Sequence, residues 1–131
     1  METRRNAATT SGNRTPAADR LRSNNGSLMD NFGFLKVAAA VPHVRVADCD
    51  YNAERMAAMA EEAARRGVEI VVFPELGVTA YTCGDLLLQQ TLLDEADEAL
   101  ERLVRATRKL PLTLIAGAPL RHGSTLYNCA V

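Results

Sequence analysis

Tryptophan is absent from this chain, and only 5% of its 131 residues are aromatic. No apolar run approaches the roughly 20 residues that cross a bilayer as a helix. The three cysteines (Cys49, Cys83 and Cys129) have wide, unrelated spacings that predict neither a disulfide framework nor a zinc site. With 15 basic and 16 acidic residues, no net field attracts nucleic acid or an anionic membrane. We therefore expect a cytoplasmic protein with reduced cysteines and no metal.

Familiar nucleotide-binding and hydrolase motifs are missing as well. The sequence contains no G-x-x-x-x-G-K-[ST], no G-x-G-x-x-G and no G-x-S-x-G. No two His or Cys residues have the spacing of metal ligands, and no internal repeat occurs. Any function must therefore be sought in other residues.

The composition changes near residue 31. Residues 1–31 are rich in Arg, Ser, Thr, Asn and Gly and contain few aliphatic residues, which predicts a disordered N-terminal extension. We hypothesise that Met29, rather than Met1, is the natural start and that the residues before it are an upstream extension of the reading frame. Residues 32–131 are more apolar, and 47% of the whole chain is hydrophobic, so this part is long enough for one domain with a core.

The stretch 70–76, IVVFPEL, organises the rest of the chain. Its β-branched and aromatic residues predict a short strand, buried on both faces. Pro74 has no backbone donor, so pairing should end there, and Glu75 then lies at the carboxyl end of the strand. Beside so much apolar surface its charged form is disfavoured, which suits a general base. The alternative is an ordinary polar strand end.

The residues before this stretch predict a strand–helix–strand unit. A first strand spans 35–41 and ends at Pro42, and His43 is expected to be a solvated loop residue. Asp48 or Asp50 caps a helix whose Met and Ala side chains form one apolar face, and Gly67 ends it. The two strands of such a unit are parallel.

The residues after Glu75 predict a loop over 76–84, a short turn capped by Asp85 and a helix over 92–109. Cys83 is expected to pack rather than to act as a nucleophile, because no basic residue lies near it in sequence to activate it. A third strand over 112–118 and a fourth over 126–131 form a hairpin. Since the chain stops inside an apolar strand, we predict a fragment.

Three segments together resemble a known family: KVAAAVP, ARRGVEIVVFPELGVTAYTCGDL and PLTLIAGAPLRHGSTLYNCAV. They are similar to the carbon–nitrogen hydrolase (nitrilase) superfamily and, within it, to the glutaminase domains of glutamine-dependent NAD+ synthetases. The resemblance implies an α/β fold, a partial α-β-β-α sandwich with helices on one face, truncated after the fourth strand. Residues 32–131 would form the N-terminal part of the glutaminase domain.

The resemblance also implies a chemistry. That family uses a Glu–Lys–Cys set, in which Glu75 would be the general base, and Tyr81 would line the glutamine pocket. The matching lysine and nucleophilic cysteine lie beyond the residues given, and Cys129 falls where the family has a structural residue. The fragment would then be inactive alone. Its partners would be glutamine and a synthetase domain that uses ATP and Mg2+, in a parent that is a homo-oligomer.

Two other interpretations remain open at this point. The first is a stand-alone nitrilase-family amidase, which acts on a different amide and has no synthetase domain. The second is a non-catalytic α/β module in which Glu75 is structural or holds a cation.

Overall fold

The computed structural model describes residues 33–131, so the predicted extension 1–31 lies outside the described residues. This part of the chain folds as a layered α/β unit. Its strands are β1 (Val37–Ala39), β2 (Ile70–Val72), β3 (Thr113–Ile115), β4 (Gly117–His122) and β5 (Thr125–Ala130). Its α-helices are α1 (Cys49–Arg65) and α2 (Gln90–Thr107), and a 3-10 helix spans Tyr81–Leu88.

Helix α1 begins and ends at the signals read from the sequence. Asp48, rather than Asp50, is the N-cap, and its carboxylate accepts from the backbone N–H of Tyr51 at 3.1 Å. Gly67 has a φ of +70° just beyond the C-terminus. The buried face consists of Met and Ala side chains together with Cys49 and one polar residue, Asn52. Its buried residues are Cys49, Asn52, Ala53, Met56, Ala60 and Ala63.

Strand β2 is the centre of a parallel sheet ordered β1-β2-β3. In register, Ala38, Val71 and Leu114 are neighbours on the face that packs against the helices. The last sheet bond of this strand runs from Phe73 N–H to the carbonyl of Ile115 at 2.9 Å. Pairing then ends at Pro74, as predicted, because proline has no donor.

The prediction that β2 is buried on both faces is wrong. Val71 is completely buried, whereas Val72 is 40% exposed and Val37, on the same face of the sheet in β1, is 64% exposed. Both helices lie on the same side of the sheet, so within residues 33–131 the other face is left without a layer over it. The sheet therefore has one covered face and one open apolar face.

The predicted strand 112–118 is divided, which makes five strands instead of four in the described residues. β3 ends at Ile115 because the chain after β2 makes its last hydrogen bond to it from Phe73, just before Pro74. The chain after β3 then changes sheets. Ala116 exchanges two backbone hydrogen bonds with Val131, each 2.9 Å, and so extends the β4–β5 hairpin. The expected hairpin is confirmed, and β4 continues to His122, which pairs with Thr125, so that only residues 123–124 form the turn.

The segment after Glu75 differs from the loop predicted over 76–84. The chain turns over residues 75–79 and then enters the 3-10 helix, which is kinked at Gly84 with a φ of +53°. Asp85 lies inside this helix and does not cap a separate turn. Helix α2 begins two residues before the predicted 92–109. No helix in residues 33–131 combines the length and apolar character needed to cross a bilayer.

Candidate functional site

Glu75 lies at the carboxyl edge of the parallel sheet, directly after β2, as the sequence predicts. Its side chain is exposed, so residues 33–131 do not form the apolar wall expected around it. The side-chain Nδ2 of Asn128 on β5 donates to Glu75 Oε1. An exposed carboxylate with one oxygen held by an amide donor can still accept a proton on the other oxygen.

The backbone around Glu75 is held by a close approach of β4. A Cβ atom on Gly117 would lie 2.4 Å from the carbonyl oxygen of Pro74 and 2.8 Å from the Cα of Glu75. Only glycine therefore fits at this position without displacing the chain. The carbonyl of Gly117 also accepts from Val78 N–H at 3.2 Å, which joins β4 to the turn after Glu75.

The turn after Glu75 contains strained backbone. Leu76 has a φ of +50° and Ala80 a φ of +67°, values that residues with a Cβ seldom adopt. Hydrogen bonds from Gly77 N–H to Pro74 O and from Thr79 N–H to Leu76 O, both 3.1 Å, hold the turn in place. Such strain persists only where the surrounding structure maintains it.

Asn52 is the main support of this turn, and the sequence reasoning missed it. The side chain is completely buried on α1. Its Nδ2 donates to the carbonyls of Arg45 at 2.8 Å and Val78 at 2.9 Å, and its Oδ1 accepts from Arg45 N–H at 2.7 Å. Its position between Tyr51 and Ala53 on the buried face of α1 was the available signal, because a polar residue there needs partners.

The cysteines do not join Glu75 in the described residues. Cys83 is buried and its Sγ donates to the carbonyl of Thr79 at 2.8 Å, in agreement with a packing role. Burial raises the pKa of the Cys49 thiol to about 12, with smaller contributions from Glu95 and Cys83. Cys129 is half-buried on β5, where it pairs with Ala118. None of the three has the surroundings of an activated thiol.

Tyr81 and His43 are placed near the same edge of the sheet but apart from the hydrogen bonds around Glu75. Tyr81 opens the 3-10 helix and is 68% exposed, and its predicted place in a glutamine pocket stays a prediction. His43 is an exposed loop residue after β1. Within residues 33–131, no group of three or more His, Cys, Asp or Glu side chains is arranged to hold a metal ion.

Fold and site together define a layered α/β domain with an exposed carboxylate at the carboxyl edge of a parallel sheet. A model of the carbon–nitrogen hydrolase family matches residues 36–131. The chain belongs to the carbon–nitrogen hydrolase family.

Similar relatives of this chain are synthetases. The chain is 41% identical over 99 residues to the glutamine-dependent NAD(+) synthetase of Mycobacterium tuberculosis, and 37% identical over 99 residues to that of Mycobacterium leprae. Each match covers 76% of this chain and 15% of the relative. The chain therefore spans only a small part of the length of these proteins.

Solved structures give the same fold. A glutamine-dependent NAD(+) synthetase from Cytophaga hutchinsonii superposes with a TM-score of 0.68 at 28% identity, over 73% of this chain and 16% of that one. An amidase from Nesterenkonia sp. superposes with a TM-score of 0.60 at 22% identity, over 68% of this chain and 34% of that one. The second likeness concerns the fold alone.

Proposed function

We propose that this chain forms the N-terminal part of the glutaminase domain of a glutamine-dependent NAD+ synthetase, in which Glu75 is the general base. The observation that carries the proposal is the exposed Glu75 carboxylate at the carboxyl edge of the sheet. The 41% identity to a synthetase favours this family member over a stand-alone amidase.

In the proposed reaction, Glu75 accepts the proton of a cysteine thiol that the rest of the domain supplies. A free cysteine thiol with a pKa of about 8.5 is mostly protonated at neutral pH, so it needs a base to remove its proton. The thiolate sulfur bonds to the carboxamide carbon of glutamine, and the C–N bond breaks as Glu75 returns the proton to the departing ammonia. Glu75 then takes a proton from the water that hydrolyses the thioester to glutamate, and the thiol is regenerated.

The remaining parts of the proposal concern the longer protein. A lysine outside this sequence would stabilise the oxyanion, and a synthetase domain would use ATP and Mg2+ to amidate nicotinate adenine dinucleotide with the ammonia. Tyr81 would line the glutamine pocket. The open apolar face of β1–β3 fits a second sheet, as an α-β-β-α sandwich has. We propose a cytoplasmic homo-oligomer for this protein.

The test replaces Glu75 with Gln in the full-length protein encoded at this locus. Glutamine-driven NAD+ synthesis should fall by about 10²- to 10⁴-fold, the usual contribution of a general base. Ammonia-driven synthesis should be unchanged, because the base serves only the amide half-reaction. Glu61→Gln, an exposed carboxylate on α1, is the matched control. Equal loss of both activities would contradict the role.

Sequencing the locus and its transcript past codon 131 tests the larger claim. A continuation with a lysine, a cysteine and an ATP-binding synthetase domain is expected. A lysine and cysteine without that domain would favour the amidase. A stop at the same position, matched by the intact mass of the native protein, would favour the non-catalytic module.

A further inference from the structure

Asn128 and Glu75 are 53 residues apart in sequence, and their side chains meet at the edge of the sheet. Asn128 Nδ2 is the donor and Glu75 Oε1 the acceptor. Both side chains are exposed, so each could form its hydrogen bonds with water instead. A contact of this kind between two exposed side chains has little to contribute to folding.

The fold nevertheless determines where the Asn128 amide lies. In the hairpin Asn128 is paired with Pro119, which is fully buried on β4. Two residues earlier, Gly117 lies against the backbone of Pro74 and Glu75. The same hairpin therefore contacts Glu75 twice, through the backbone from β4 and through the side chain from β5. Such double support is the arrangement that orients a reacting group.

We propose that Asn128 is a positioning residue for Glu75, which holds Oε1 by donation and leaves Oε2 directed at the incoming proton. This inference rests on the proposed function and adds a residue to it. An amide N–H stabilises the ionised carboxylate, which is the form that accepts a proton. The hydrogen bond also holds the Glu75 carboxylate in one of its two equivalent orientations, so the base is already in place when the thiol approaches.

If Asn128 acted only by packing, its variants would differ in activity from the pattern that a hydrogen-bond donor predicts. Asn128→Asp keeps the size and shape of the side chain but removes the N–H donor and adds a second carboxylate next to Glu75. Asn128→Ala removes the donor and the volume together. If only volume mattered, Asp would preserve activity and Ala would not. If donation matters, Asp is as damaging as Ala or more so, because two carboxylates repel each other.

The experiment measures glutamine-driven and ammonia-driven NAD+ synthesis in the full-length protein. In Asn128→Ala and Asn128→Asp, kcat with glutamine should fall roughly 10- to 100-fold, the range for a hydrogen bond to a charged group. KM for glutamine should change less than about twofold, because Asn128 binds the base and not the substrate. Ammonia-driven synthesis should be unchanged in both.

Thr125→Ala is the matched control, since Thr125 is exposed on the same strand and its side chain lies on the other face of β5 from Asn128. It should keep full activity, and all three variants should melt within about 2 °C of the native protein. Native activity in Asn128→Asp, or a change confined to KM, would overturn the inference. Failure of the proposed function can be told apart from failure of this inference. If the proposed function is wrong, Glu75→Gln leaves glutamine-driven synthesis intact.

Discussion

Asn52 and Val78 lie 26 residues apart in sequence, yet Asn52 Nδ2 donates to the Val78 carbonyl at 2.9 Å. The same amide group makes two further hydrogen bonds to the backbone of Arg45. One buried side chain thereby joins α1 to the loops that follow β1 and β2. Because the second of these loops begins with Glu75, Asn52 links the core of the domain to the candidate site.

Replacing Asn52 should destabilise the domain strongly. Asn52→Ala removes three hydrogen bonds to backbone groups, of which the one to the Val78 carbonyl is buried, at a cost of roughly 2–4 kcal/mol in the free energy of unfolding. Urea unfolding followed by circular dichroism would measure it. Glu61→Ala, exposed on the same helix, should change the free energy by less than about 0.5 kcal/mol. An equally small effect for Asn52→Ala would show that the loops do not depend on it.

Gly117→Ala should damage both stability and the position of Glu75. The added methyl group would lie 2.4 Å from Pro74 O and 2.6 Å from Leu76 N, which are backbone atoms that cannot turn aside. We expect a loss of about 2–3 kcal/mol, measured as above, from overpacking. Gly77→Ala is the comparison, because its nearest contact is the terminal methyl group of the Met56 side chain at 2.6 Å and its nearest backbone contact, Pro74 O, is 3.0 Å away. It should cost less. A larger loss of stability in Gly77→Ala than in Gly117→Ala would contradict the close approach of β4 to the backbone around Glu75.

The three cysteines should differ in their reaction with iodoacetamide. Cys129 is half-buried, whereas Cys49 and Cys83 are buried. We expect mass spectrometry to find the native chain modified first at Cys129, and all three cysteines modified after denaturation. Cys129→Ser should then abolish the early modification. Rapid native labelling of Cys83 would argue against its packing role.

Alkaline pH should weaken the fold through Cys49. Burial is the chief reason that the pKa of the Cys49 thiol is raised from 9.0 to about 12 in the folded chain. A raised pKa means that the folded chain holds the proton more tightly, so this contribution is complete below about pH 9 and is lost as the pH rises toward 12.

Between pH 7.5 and 10.5 the native protein should therefore lose about 2 kcal/mol more of its unfolding free energy than Cys49→Ala does. Urea unfolding in the presence of a reductant, at both pH values, would measure the difference. The variant retains every other group that titrates in this range and is the matched control. Parallel losses in the two proteins would mean that Cys49 ionises as freely in the fold as outside it.

The parts of the structure that follow from local physics were predictable. Pro74 ends β2 because it has no donor, Asp48 caps α1 because its carboxylate can accept from the first turn, and Gly67 leaves the helix with a positive φ. These effects act over a few residues, so the sequence around each one contains the information. The position of Glu75 at the strand end follows in the same way.

Contacts between distant segments were beyond local reasoning. The division of the third strand at Ala116 depends on where β2 ends and on the hydrogen bonds to Val131. Asn128 looks like an ordinary polar residue until its partner is known, and the position of Asn52 on the apolar face of α1 shows that it needs partners but not which ones. The sequence by itself determined the two long helices, the N-cap of α1 and the glutamate at the strand end. Tertiary structure alone decided which face of the sheet is covered and which amides support that glutamate, because those outcomes depend on pairing across 26 and 53 residues.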